Sequence, residues 1–194
     1  MRKKVVADID VNAVTGTDVL SLADAKTWLR VTNDSEDALI TSLIQVAVNA
    51  VQKFTGQYLD EISCTYRMSA FFDTYLPAGP LRSISAVQYT PDSTPINFDD
   101  YYIEIHGNSP FIHFDSPPAI DTENVLPVTI TAAIGYPQVS GSAAPPAELL
   151  HAVRLLLSHY YDIRENVIVG TTVSAPIPMG IQSLMSPYRN LYFV

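Results

Sequence analysis

The sequence predicts an α+β fold: a small helical bundle with an antiparallel β-rich segment inserted at about 62–137 and an extended C-terminal tail. Three observations carry this expectation. Apolar residues recur at helical spacing in two separated stretches, about 35–55 and about 146–164. Between them, β-branched and aromatic runs are broken by Pro, Gly, Asn and Asp, the residues of strands and turns. No repeat or low-complexity segment suggests a second architecture, so residues 1–194 read as a single domain.

Residues 1–20 are polar and aperiodic and predict an N-terminal arm with an extended piece at Val5–Ile9. Ser21 opens a short helix at about 21–30. It is placed to cap, Asp24 stands at the third helical position, and Leu22, Ala25, Trp28 and Leu29 form the apolar side. The turn Thr32-Asn33-Asp34-Ser35 leads into the long helix, where Ser35 is the expected cap, Glu36 and Asp37 suit the positive end of the dipole, and Gly56 is the stop. Leu39, Leu43, Val46, Ala50 and Phe54 share one face; Ile40, Ile44, Val48 and Val51 form a second stripe beside it. Thr41, Gln45, Asn49 and Gln52 leave only a narrow polar face, so one neighbour cannot cover this helix.

After Gly56 the expected strands are Ser63–Ala70, Ile84–Tyr89, Tyr101–Ile105, Phe111–Phe114 and Val128–Ala133, with Gly107, Asn108 and Ser109 as a hairpin turn. Pro77 and Pro80 suit an edge or a turn leading into a strand. An antiparallel sheet or small barrel follows. Residues 137–147 read as a linker that delivers Pro146 to the first turn of the second helix. There Leu149, Val153, Leu156, Tyr160 and Ile163 line one stripe, with Leu150, Leu157 and Tyr161 beside it. The helical core is thus 21–56 with 146–165. Residues 166–194 form a Pro- and Gly-broken tail with one or two helical turns from Ile181 to Ser186.

Eleven basic against twenty acidic residues give a formal charge of -9, which argues against gripping nucleic acid by counterion release. The single Cys64 excludes an internal disulfide and a cysteine metal cluster, and reads as a buried, inert thiol. Arg2, Lys3 and Lys4 resemble a signal-peptide start, but Asp8, Asp10 and Asn12 interrupt the apolar core such a peptide needs. No run approaches the roughly 20 apolar residues that span a membrane, so a soluble cytoplasmic protein without membrane contact is expected. Between Arg82 and Arg154 there is no Lys or Arg, while Asp92, Asp99, Asp100, Glu104, Asp115, Asp121, Glu123 and Glu148 fall in that interval. The plain reading is a solvated acidic surface. The sharper one is an acidic wall facing a basic partner, or DNA that must pass without sticking.

Candidates for chemistry are few. His106 and His113 flank the hairpin turn with Asp115 nearby, but a metal site there needs a third ligand. His151 and His159 lie eight residues apart on one helix, about two turns, and read as packing residues. Asp99, Asp100 and Glu104 could form a carboxylate site; alternation of Tyr101, Ile103 and Ile105 against Tyr102 and Glu104 instead fits a half-buried strand with an acidic edge. No phosphate-binding glycine loop, G-x-S-x-G elbow or H-E-x-x-H is present, so neither an enzyme nor a cofactor is expected. Tyr188, Tyr192 and Phe193 on the broken tail suit an interface.

From Leu20 to Phe193 the sequence resembles the tailed-phage head-to-tail connector (adaptor, head-completion) family, found also in prophages and gene transfer agents. The resemblance rests on LSLADAKTWLRV at 20–31, SEDALITSLI at 35–44, AVQKFTG at 50–56, LPAGPLRSI at 76–84, PPAELLHAVRLLLSHYYDIRE at 145–165 and PMGIQSLMSPYR at 178–189, in that order and spacing. The arm at 1–19 departs from the family pattern. The resemblance implies a structural protein: a ring, expected to be twelve-fold, that docks under the portal protein at the virion neck and joins the DNA-filled head to the tail or to a neck completion protein. It offers a neighbouring subunit as cover for Ile40, Ile44, Val48 and Val51, the candidate oligomer interface. It makes the C-terminal segment the portal-docking element, with Ile181, Leu184, Met185, Tyr188, Arg189, Tyr192 and Phe193 as candidates. Asp99, Asp100 and Glu104 become a candidate acidic channel or partner face past which DNA moves without specific binding. A DNA-packaging accessory factor would need a basic groove, and a metal-dependent enzyme would need His106, His113 and the acidic strand to converge; both rank behind the connector.

Overall fold

A computed structural model of the chain describes residues 6–11, 16–91, 94–106, 109–120, 124–136, 144–163 and 178–190. The backbone divides into two compact units, a β-rich one holding the N-terminal strand and Glu61–Tyr136, and a helical one holding Val14–Asp60 and Pro137–Arg189.

The helical unit contains α1 (Gly16–Val19), α2 (Leu22–Leu29), α3 (Asp37–Thr55), α4 (Ala147–Asp162) and α5 (Met179–Met185), the last followed by a 3-10 turn at Ser186–Tyr188. Ser21 caps α2 as its sequence predicts: its hydroxyl accepts from the Asp24 N–H at 3.1 Å and donates to the Asp24 carboxylate at 2.7 Å. Gly56 ends α3 in the left-handed conformation with φ 69°. The start of α3 differs from expectation. Glu36 is the N-cap and makes no side-chain cap bond, because its carboxylate accepts the Tyr161 hydroxyl at 2.5 Å; Ser35 is a turn residue bonded to Asn33. The N-terminal stretch also contributes more than an arm, since Gly16 begins a helical turn tied to α3. A Cβ at Gly16 would stand 2.8 Å from the Gln45 Cα, so only glycine permits this approach.

The two stripes of α3 are exchanged relative to the expected roles. Ile40, Ile44, Val48 and Val51 are fully buried together with Ala47, so none of them lies on a surface open to another subunit. Leu39, Leu43, Ala50 and Phe54 are only half-buried, and Val46 is 49% exposed. The reason is the placement of neighbours: α3 packs against α1, α2, α4 and α5, and α4 adds Leu149, Ala152, Val153, Leu156 and Leu157 to the interior. Periodicity ranks two stripes equally; burial falls on the one those helices reach.

In the β-rich unit, β1 (Val6–Val11), β2 (Ile62–Met68), β4 (Leu81–Tyr89), β5 (Ile96–Asn97) and β8 (Val128–Ile134) form one antiparallel sheet in the order β1-β2-β8-β4-β5. A second sheet, in the order β3-β7-β6, holds β3 (Thr74–Tyr75), β6 (Tyr101–His106) and β7 (Ser109–Phe114). Strict alternation sets the register of the central pair. Ile62, Cys64, Tyr66 and Met68 lie opposite Ile134, Ala132, Ile130 and Val128, and all eight are buried. β4 loses this alternation because its register with β8 shifts twice, between Leu81 and Ser83 and between Ile84 and Ala86. Phe71 gathers Phe98, Phe114 and Tyr89 at 4.8, 5.1 and 5.7 Å, joining residues from both sheets in one aromatic cluster. Ser109 belongs to β7 and pairs with His106, which shortens the expected three-residue turn to positions 107 and 108, outside the described residues. The linker at 137–143 also lies outside them.

Candidate assembly surfaces

The expected docking residues at the C-terminus divide sharply. Ile181 and Met185, one helical turn apart, are buried within the helical unit, where α5 packs against α3 and α4, so neither is available to a partner. An amphipathic turn with apolar residues four apart needs cover, and its own bundle supplies it. Residues 179–185 therefore pack into the bundle and are not part of an extended tail as the sequence predicts. Leu184 is half-buried and Arg189 exposed, its guanidinium 5.6 Å from the centre of the Phe54 ring. Tyr188 is anchored twice: its carbonyl accepts from Gln57 Nε2, and its hydroxyl donates to Glu148 at 3.0 Å. That carboxylate lies below its ordinary pKa through backbone bonding at the helix start and the Tyr188 hydroxyl, while the tyrosine is raised by the same pair. Tyr192 and Phe193 lie outside the described residues.

The acidic candidates also separate. Asp99 and Asp100 are exposed at the start of β6, and Asp115, just past β7, returns its N–H to the Asp100 carbonyl at 2.9 Å. Three acidic residues therefore stand at one end of the β6–β7 hairpin. The Tyr101 hydroxyl is raised above its ordinary pKa by burial and by the Asp99 charge. Glu104 lies elsewhere on β6 and faces imidazoles, with one oxygen 3.2 Å from His106 Nε2 and 3.5 Å from His113 Nε2. His113 Nδ1 reaches Asp73 at 3.2 Å, and Tyr102 stacks on the His113 ring at 4.5 Å. His106 and His113 thus share Glu104, and His113 alone reaches Asp73, in place of the expected Asp115. Asp73, in the segment before β3, was invisible to spacing because forty residues separate it from His113. Among the described residues no group of three His, Cys, Asp or Glu is arranged to hold a metal ion.

The helical unit presents one further feature that sequence reading missed. Trp28, assigned to the apolar side of α2, is 39% exposed; its Nε1 donates to Ser158 on α4 at 2.8 Å, and its ring meets His151 edge-on at 5.7 Å. Beside it lies an open cleft of about 590 Å³ lined by Asp24, Thr27, Trp28, Arg30, Arg154 and Ser158. Arg30 ends α2 in the left-handed conformation, with φ 59°. Lys26, on the same helix, is occupied by Asp34 and Asp37 at 2.5 and 2.7 Å, which raises its pKa and lowers that of Asp34. Arg30 and Arg154 have no ion-pair partner among the described residues. His159 contacts the Tyr160 ring, as a packing residue does, and burial raises the Tyr160 hydroxyl. Cys64 is buried. No described helix is long and apolar enough to cross a membrane.

A helical unit and an antiparallel β-rich unit together make an α+β protein. Residues 19–99 match the family described as phage gp6-like head-tail connector protein. The fold continues well beyond that segment in solved structures. A chain from the neck of an empty gene transfer agent (GTA) particle with C6 symmetry matches at 20% identity and TM-score 0.77, covering 97% of this chain and 98% of that one. A chain from the neck of the native GTA particle with C12 symmetry gives TM-score 0.73 at 20% identity, over 97% and 98% of the two chains. A chain of the native GTA virion gives TM-score 0.71 at 22% identity with the same coverage. At these identities the likeness shows a shared α+β fold over nearly the full length. No curated protein matches the chain in sequence.

Proposed function

We propose that the protein is a structural head-to-tail connector: a subunit of a ring at the virion neck, beneath the portal, that joins the DNA-filled head to the tail and leaves a channel for DNA. The observation that carries this reading is the coincidence of a connector domain at 19–99 with a fold shared end to end with chains of GTA necks. The C6 and C12 symmetry of those necks supports a twelve-fold ring as the expected assembly. Partners are further copies of the chain, the portal protein and a tail or neck completion protein; DNA passes without specific binding, in keeping with the formal charge of -9.

Burial narrows the contact residues. Arg189 and the partly accessible Leu184 and Tyr188 remain for portal docking, with Tyr192 and Phe193 beyond them, whereas Ile181 and Met185 serve the fold. Asp99 and Asp100 remain exposed for a channel or a partner; Glu104 is engaged by histidines. Mixing purified protein with the portal protein of the same source and imaging by electron microscopy is the decisive experiment. Rings stacked on the portal are expected, and removal of residues 191–194 should weaken that stacking while leaving the helical unit folded. Absence of both rings and portal binding under all conditions would overturn the connector reading.

A further inference from the structure

We infer that the Arg30–Arg154 cleft is a carboxylate-binding socket, and that its occupant is the Asp99–Asp100–Asp115 end of the β6–β7 hairpin of a second copy. This inference rests on the ring reading and names the surfaces through which one subunit would meet the next. Two unmatched charge sets carry it. In the cleft, two guanidinium groups line about 590 Å³ of open space beside an exposed indole, and neither has an anionic partner among the described residues. The cleft's own carboxylate, Asp24, is already engaged by the Ser21 hydroxyl at 2.7 Å. At the hairpin end, Asp99, Asp100 and Asp115 are all exposed, and no Lys or Arg occurs between Arg82 and Arg154 in the chain.

The chemistry is complementary. Guanidinium groups hold carboxylates through paired, geometrically fixed hydrogen bonds, and a tryptophan face beside them covers aromatic or apolar neighbours. The hairpin end supplies both kinds of group, since Tyr101 and Tyr102 follow Asp99 and Asp100 directly. Lys26 is not part of this socket, as two aspartates of its own unit occupy it. A socket on one unit and a plug on the other make a heterologous contact, the kind that closes into a ring when repeated. Charge at such a contact chiefly fixes register and steers encounter, and apolar neighbours add to affinity.

Two reversed-charge variants test the inference: Arg30→Glu with Arg154→Glu, and Asp99→Arg with Asp100→Arg. Self-association is followed by sedimentation and by the fluorescence of Trp28, the single tryptophan of the chain, which lies in the cleft. Each double variant alone should self-associate on the order of tenfold or more weakly than the wild type, with the difference shrinking at high salt. Mixing the two should restore assembly, because each supplies the charge the other lacks on both faces. Milder Arg30→Ala with Arg154→Ala serves as the second test of the socket if reversal damages folding. Wild-type assembly by either reversed variant alone, or failure of the mixture to recover, would overturn the socket and leave the connector reading standing. Absence of wild-type self-association, alone or with the portal protein, would remove both. A Trp28 response to a short DNA duplex but not to a second copy would also overturn the inference, and would make the cleft a phosphate site.

Discussion

The helical unit and the β-rich unit solve the same problem, covering apolar surface, with different kinds of information. In the β-rich unit burial follows a period of two, so Ile62, Cys64, Tyr66 and Met68 turn inward without exception and meet the equally regular face of β8. In the helical unit two stripes of α3 compete, and the one that wins is selected by the helices packed on it, among them α4 and α5 from the far end of the chain. Two of its polar ties have the same long reach, Trp28 to Ser158 and Tyr161 to Glu36, while Tyr188 to Glu148 spans 40 residues. A strand pattern specifies its own inside, whereas a broadly apolar helix needs its neighbours to specify it.

The largest test of that contrast is Ile44→Asp. A charge placed among fully buried side chains should cost at least about 4 kcal/mol and unfold the helical unit. Val46→Asp, two residues away and 49% exposed, should leave thermal stability within about 0.5 kcal/mol of the wild type. Equal damage in thermal melts followed by circular dichroism would mean both stripes are core. Next in size is Ile130→Ala at the centre of β8, with an expected loss of about 2–5 kcal/mol in denaturant unfolding because its site is fully enclosed. If that loss matched an exposed position such as Ile105, period-two burial would not govern the sheet.

Gly16→Ala ranks third. Its Cβ would press on the Gln45 backbone, so a loss of about 1–3 kcal/mol is expected, and a variant as stable as the wild type would remove the close approach of α1 to α3. Tyr188→Phe should have the smallest effect, and its pH dependence identifies it. Glu148 has a lowered folded pKa, so the stability it gains from Tyr188 is present above the unfolded value and is lost as pH falls through the folded one. The difference between wild type and variant should therefore be steady near neutrality and shrink in acid, below about pH 4. A difference unchanged at low pH would exclude this hydrogen bond as its source.

Much of the architecture was legible in the chain. The cap at Ser21, the stop at Gly56, the helices α2, α3 and α4 and the five principal strands follow from periodicity, turn residues and capping chemistry. The short strands β3 and β5 were not, because two residues are too few to show a period. Among the candidate contact residues, Asp99, Asp100 and Arg189 are exposed as expected. Ile40, Ile44, Val48, Val51, Ile181 and Met185 are not, since apolar spacing reports that a face will be buried and is silent on what buries it. The pairing of Glu104 and Asp73 with two histidines was hidden for a related reason: β3, β6 and β7 come together only in the sheet.

By itself, the sequence determined the local elements, the acidic cast of the segment between Arg82 and Arg154 and the resemblance to connector proteins, because each depends on residues near one another in the chain or on totals. Tertiary structure decided which stripe of α3 is inside, that α5 packs into the bundle, and that Trp28, Arg30 and Arg154 share a cleft. Those outcomes depend on which surfaces meet when distant segments collapse together, and no short-range pattern encodes that choice.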